Sequence, residues 1–193
     1  MCASYFFIFL VWIPDRWLKL NLSPVCFGAR GDQFGNFTAP AGRLAAIKLV
    51  WRYGYVSCDT RVTSYPSYWG CSDNPVTGPR VNVVITNLSN HILLPPNQFI
   101  DDVTNHQTWY TIPGYNSLSP ELVLSVFLNP ISLSSNQVLR LWYGEDLVNQ
   151  YEGDNGGRVC ADVYSTYDWK DSIKCFYRTY IPYKKNLNIS FTK

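Results

Sequence analysis

Leu44-Ala-Ala-Ile-Lys-Leu-Val-Trp-Arg-Tyr-Gly-Tyr-Val56 is the stretch from which the fold can be read. Ala45, Ile47, Leu49, Trp51 and Tyr53 fall on one face of an extended chain, and Lys48 and Arg52 fall on the other, the period-two signature of a half-buried strand. Six further runs follow it: Val81–Asn87, His91–Leu94, Thr108–Ile112, Leu122–Phe127, Val138–Tyr143 and Arg158–Tyr164. Turn signals separate them, among them Pro95-Pro96, Pro113-Gly114, Asn129-Pro130 and Asn155-Gly156-Gly157. Seven strands at this spacing predict an all-β protein, an antiparallel β-sandwich of jelly-roll-like form. Composition agrees, since 14 Tyr, 10 Phe and 7 Trp against a charged share of 16% suit pleated surfaces better than helices. At 193 residues the chain has room for a single domain of this kind.

Four segments are expected: a signal peptide over 1–28, a flexible approach over 29–42, the sandwich over 43–165 and a carboxy-terminal extension over 166–193. The apolar run Tyr5–Ile13 has the length of a signal-peptide core and is too short to span a bilayer, and Cys26-Phe27-Gly28 is the nearest small-residue cleavage site. Against a signal stand the lack of a preceding positive charge and the intervening Asp15 and Arg16. A net charge of +2, with no basic run longer than Lys184-Lys185, excludes nucleic acid as a partner. Six cysteines and only two histidines favour disulfides over zinc. Cys58 and Cys71 are the expected pair, stapling the long Ser57–Arg80 loop with about 3 kcal/mol of loop-closure entropy, and Cys58 with Cys160 is the alternative. Sequons at Asn36, Asn87 and Asn188, with a fourth at Asn21 weakened by Pro24, lean towards secretion.

Three constellations carry candidate chemistry. Glu145, Asp146, Glu152, Asp154 and Asp162 crowd a Gly-rich connection, where flexible backbone and clustered oxygens suit Ca²⁺; turn chemistry alone selects the same residue types. Tyr65, Tyr68 and Trp69 in the stapled loop, with Trp109, Tyr110 and Tyr115, are candidate ligand-binding rings, because flat aromatic faces stack on sugars. Core packing is the competing role, above all for Trp109. Arg30-Gly31-Asp32 matches a tripeptide read by adhesion receptors, though three residues match cheaply. No catalytic pattern emerges: no paired acids are singled out for glycoside hydrolysis, and neither His91 nor His106 sits in a nucleophile motif.

Leu141-Trp-Tyr-Gly-Glu-Asp-Leu147, Glu152-Gly-Asp-Asn-Gly-Gly157 and Val159-Cys-Ala-Asp-Val-Tyr164 resemble the closing segment of extracellular modules from marine invertebrates of the coral and anemone type. The resemblance extends back through Leu44–Cys71 and Pro113-Gly-Tyr-Asn116. It implies a secreted or cell-surface β-sandwich with no assigned reaction. The expected function is therefore extracellular recognition or adhesion, directed at a glycan or an extracellular protein and with an optional calcium ion. A structural matrix or secreted-coat component is the alternative, and a glycoside hydrolase ranks last.

Overall fold

The structure, a computed structural model, describes residues 17–75, 78, 80–102 and 107–168. Its strands, in chain order, are β1 Leu18–Lys19, β2 Val25–Gly28, β3 Gly35–Ala39, β4 Gly42–Ser57, β5 Val83–Thr86 and β6 Ile92–Leu94. They continue with β7 Ile100–Asp102, β8 Gln107–Tyr110, β9 Glu121–Ser125, β10 Ile131–Leu133, β11 Gln137–Tyr143 and β12 Gly156–Tyr167. The two long strands, β4 and β12, lie antiparallel along nearly their whole length. Because both outrun their other neighbours, two short strands share each outer edge: β1 and β2 on β12, β9 and β10 on β4. A second sheet runs β3-β11-β5-β6, and β7 pairs with β8 in a small ribbon.

The two antiparallel sheets pack together as a single-domain β-sandwich. Phe27, Leu44, Ile47, Leu49, Leu122 and Val163 from one sheet meet Phe37, Ile85, Leu139 and Leu141 from the other in one buried core. All seven expected strands are present, displaced by a few residues at their ends. Among the described residues no helix is long and apolar enough to cross a membrane.

The expected alternation of β4 is broken at both ends. Across from β12, Ala161 pairs with Trp51 and Cys160 with Tyr53, so Arg52 is an extra residue, a β-bulge. A second irregularity, between Thr166 and Tyr167, skips Ala45 in the same way. An inserted residue flips the faces beyond it. The core side of β4 therefore reads Leu44, Ile47, Leu49 and, past the bulge, Val56, with Trp51 packed against it. Tyr53, expected to share the face of Ile47 and Leu49, is 57% exposed.

The sandwich also reaches further towards the amino terminus than expected. β2 and β3 lie within 25–39, and Phe27 and Ala39 are fully buried, so residues 29–42 are not merely an approach to a module beginning at 43. A boundary after residue 28 would remove β2 whole and with it Cys26, which pairs directly opposite Cys160 and is disulfide-bonded to it. This replaces the Cys58–Cys160 alternative, while the Cys58–Cys71 bond is formed as expected. At the other end β12 continues to Tyr167 and Asp168 donates its N–H to the Arg43 carbonyl, so the sandwich outlasts the boundary at 165. The run Tyr5–Ile13, Cys2, His106, Cys175, Lys184, Lys185 and Asn188 lie outside the described residues.

Candidate functional site

The six aromatic candidates separate into two groups. Trp69, Trp109 and Tyr110 are buried in the core, which corrects their assignment to an accessible ligand surface. Buried indole and phenol groups need a polar partner, and each finds one inside the protein. Trp69 Nε1 donates to the Ser119 carbonyl at 2.7 Å, Trp109 Nε1 donates to Glu145 Oε1 at 2.9 Å, and the Tyr110 hydroxyl donates to the Val83 carbonyl. The stapled loop is thus less of a surface excursion than its composition suggests. It bridges to Val56 through Ser67 and to Val81 through Gly70, and this pulls Trp69 inward. Tyr65, Tyr68 and Tyr115 remain half-buried at the surface.

Tyr68 joins two rings that the sequence reading did not select, Trp51 and Tyr55. Its ring stacks on Trp51 with centroids 4.4 Å apart and planes 25° apart, and lies 5.8 Å from Tyr55 at 29°. Trp51 and Tyr55 are 6.3 Å apart. Local structure fixes each ring. Gly54 takes a φ of +86°, and its carbonyl accepts the Trp51 indole N–H at 2.9 Å. Val56 and Ser67 exchange both backbone hydrogen bonds, setting Tyr55 beside Tyr68 at the mouth of the Cys58–Cys71 loop. The 116–120 turn closes the other side, where Ser117 accepts the Tyr68 N–H and Pro120 accepts the Trp51 N–H, both at 2.9 Å. Tyr55 is 52% exposed, and Trp51 and Tyr68 are half-buried. The signal in the sequence was Trp51-Arg-Tyr53-Gly-Tyr55, whose rings read as core alternation unless the bulge is known.

The five candidate calcium ligands are not gathered around one point. Glu145 and Asp146 are consecutive in a short helix, α1 (Gly144–Val148), and successive helical side chains diverge by about 100°. Glu145 is buried, accepts N–H groups from Trp109 and from Asn155 Nδ2 at 2.8 Å, and donates its own backbone N–H to Asn82 Oδ1. Burial pushes its carboxyl pKa up, against the two hydrogen bonds that favour the charge. Asp154 pairs with Arg61 at 2.6 Å. Asp162, on β12, is bound by Lys19 at 2.9 Å and approached by Arg52 at 3.6 Å. Burial raises the Asp162 pKa, but the hydrogen bonds from Lys19 and Asn21 and the charges of Lys19 and Arg52 carry it below the usual carboxylate value. Among the described residues no three His, Cys, Asp or Glu side chains are placed to hold a metal ion.

The acidic segment instead grips the Arg30-Gly31-Asp32 turn. Asp146 accepts the backbone N–H groups of Asp32 and Gln33 at 2.7 and 2.9 Å, and Glu152 accepts that of Gly31 at 2.9 Å. Burial pushes the Asp146 pKa up to about 6, opposed by the two backbone hydrogen bonds and reinforced by the neighbouring Glu152 carboxyl. Gly31 and Asp32 both have positive φ, so the residue types of the tripeptide follow from turn chemistry. The expected solvated hairpin between β11 and β12 is likewise a crossover from one sheet to the other.

Among the sequons, Asn36 is exposed on β3, an edge strand. Asn87 is half-buried, with its Oδ1 accepting the backbone N–H groups of Ser89 and His91. Asn21 Oδ1 accepts the Val163 N–H, and its amide donates to Asp162.

No protein-family model and no curated protein matches the chain. Among solved structures, AJLec from the sea anemone Anthopleura japonica matches it with a TM-score of 0.68 and 38% identity, over 79% of this chain and 98% of that one. At that identity and coverage, the chain belongs to the family of AJLec, a sea-anemone lectin.

Proposed function

We propose that this protein is a non-catalytic carbohydrate-recognition module that works outside the cell, serving recognition or adhesion by binding glycans. The observation that carries this reading is its 38% identity to a lectin over 98% of that lectin's length. Two features support it. Disulfides such as Cys26–Cys160 and Cys58–Cys71 persist in oxidising, extracellular surroundings. Half-exposed aromatic rings beside polar turns are the surface chemistry that sugars require. In this reading Asn36 carries an N-linked glycan, being the accessible sequon among the described residues.

The test is a glycan array probed with the oxidised protein, once in millimolar Ca²⁺ and once in chelator. Saturable binding to a defined set of glycans is the expected result, and absence of binding in both conditions rejects the proposal. Comparing the two conditions also decides whether an ion takes part, a role that the five carboxylates of the acidic segment do not provide together.

A further inference from the structure

We infer that Trp51, Tyr55 and Tyr68 form a stacking platform that takes the C–H face of a pyranose ring. The inference rests on the carbohydrate reading above and assigns it a place on the molecule.

A single exposed aromatic side chain on a soluble protein needs no explanation, but three contiguous rings that all keep part of their surface in solvent mark an interaction site. The core does not require this arrangement. Val56 continues the buried face of β4 beyond the bulge, whereas Tyr55 points away from it and is 52% exposed. Neither the Tyr55 nor the Tyr68 hydroxyl hydrogen-bonds to another described residue, so both remain available to a ligand.

The rings are also held before any ligand arrives. Trp51 is anchored through its indole N–H to Gly54, Tyr68 is pinned through its backbone to Ser117, and the Cys58–Cys71 bond closes the loop that carries Tyr68. Little side-chain entropy is left to lose on binding, and this is how a small contact area yields useful affinity. The ligand class follows from ring chemistry. The face of an aromatic ring is electron-rich and attracts polarised C–H groups, while a sugar's hydroxyls need donors and acceptors at the rim. Here the two phenol hydroxyls are without a partner among the described residues, and the polar turn whose Ser117 carbonyl accepts the Tyr68 N–H lies beside them. A protein partner docking by apolar burial alone would make no use of those polar groups.

The experiment measures binding of methyl β-D-glucopyranoside, methyl β-D-galactopyranoside and methyl α-D-mannopyranoside by calorimetry and by saturation-transfer NMR. It uses the oxidised full chain and four variants. Tyr55→Ala and Tyr68→Leu are each expected to weaken binding on the order of tenfold, the loss of one stacked ring. Tyr55→Phe keeps the ring and should stay within about twofold. Phe127→Ala, which truncates an exposed ring beyond the opposite end of β4, should bind as the wild type does. Near-ultraviolet circular dichroism confirms that each variant retains the fold. If the wild type binds none of the three glycosides and no array glycan, the carbohydrate reading falls and the platform with it. If the wild type binds but either ring-removing variant stays within twofold of it, the platform is overturned while the carbohydrate reading stands.

Discussion

The two disulfides close loops of very different length, and this difference sets a measurable order of stability. Cys58 and Cys71 are 13 residues apart, Cys26 and Cys160 are 134 apart. In the chain-entropy account, a cross-link stabilises by removing freedom from the unfolded chain, in proportion to the logarithm of the loop. The short loop then contributes about 3 kcal/mol and the long one about 5 kcal/mol. Replacing both partners by alanine, as Cys58→Ala with Cys71→Ala or Cys26→Ala with Cys160→Ala, also truncates one largely buried and one partly buried side chain in each case. The truncation terms largely cancel in the comparison, leaving a difference of about 2 kcal/mol between the two variants. With a urea slope of about 2 kcal/mol per molar, the variant lacking Cys26–Cys160 should unfold at a midpoint about 1 M below the other. The assay is equilibrium urea unfolding followed by tryptophan fluorescence, with the remaining disulfide verified by mass. Equal midpoints, or the reverse order, would refute the reasoning, because loop length would not then govern the effect.

Gly54 has a φ of +86°, and a Cβ there would overlap the carbonyl oxygen of Arg158 across the ladder, so Gly54→Ala should cost about 3 kcal/mol or more and lower Tm by roughly 6–12 °C; an unchanged Tm contradicts this geometry. Because the folded chain raises the Asp146 pKa from 3.8 to about 6, the stability it contributes is complete below about pH 4 and is lost as pH rises through 6. Wild type should therefore lose stability relative to Asp146→Asn between pH 4 and pH 7 in urea melts, and a pH-independent gap would count against the buried carboxyl. Secreted from a eukaryotic host, the protein should lose one N-glycan mass on Asn36→Gln; an unchanged intact mass would show that the edge-strand sequon is not used.

Much of the architecture was legible because period-two patterning and turn residues are local. The seven expected strands all appear, and the Cys58–Cys71 bond follows from proximity in sequence. What escaped depends on long-range pairing. β2 and β3 are short and polar-flanked, so Val25–Gly28 and Gly35–Ala39 look like a linker until their partners β12 and β11 are known. The acidic segment looked like an ion site because residue type, not direction, is what a sequence displays. Its carboxylates turn out to be occupied by Trp109, Asn155, Arg61, Lys19 and the backbone of the 30–33 turn. The aromatic candidates divide for the same reason: Tyr68 reaches the surface, whereas Trp69, next to it in sequence, is fully buried.

The bulge at Arg52 gives chain length at this point a meaning that residue identity lacks. Upstream, odd positions such as Ile47 and Leu49 face inward; downstream, Tyr53 and Tyr55 are odd as well and face out. One residue thus acts as a parity switch within a continuous strand. Adding one residue beside it would conserve every aromatic side chain yet reverse which side of the sheet carries them, sending two tyrosines towards the core and Val56 towards water. A substitution here edits one side chain, but a one-residue insertion would rewrite the surface.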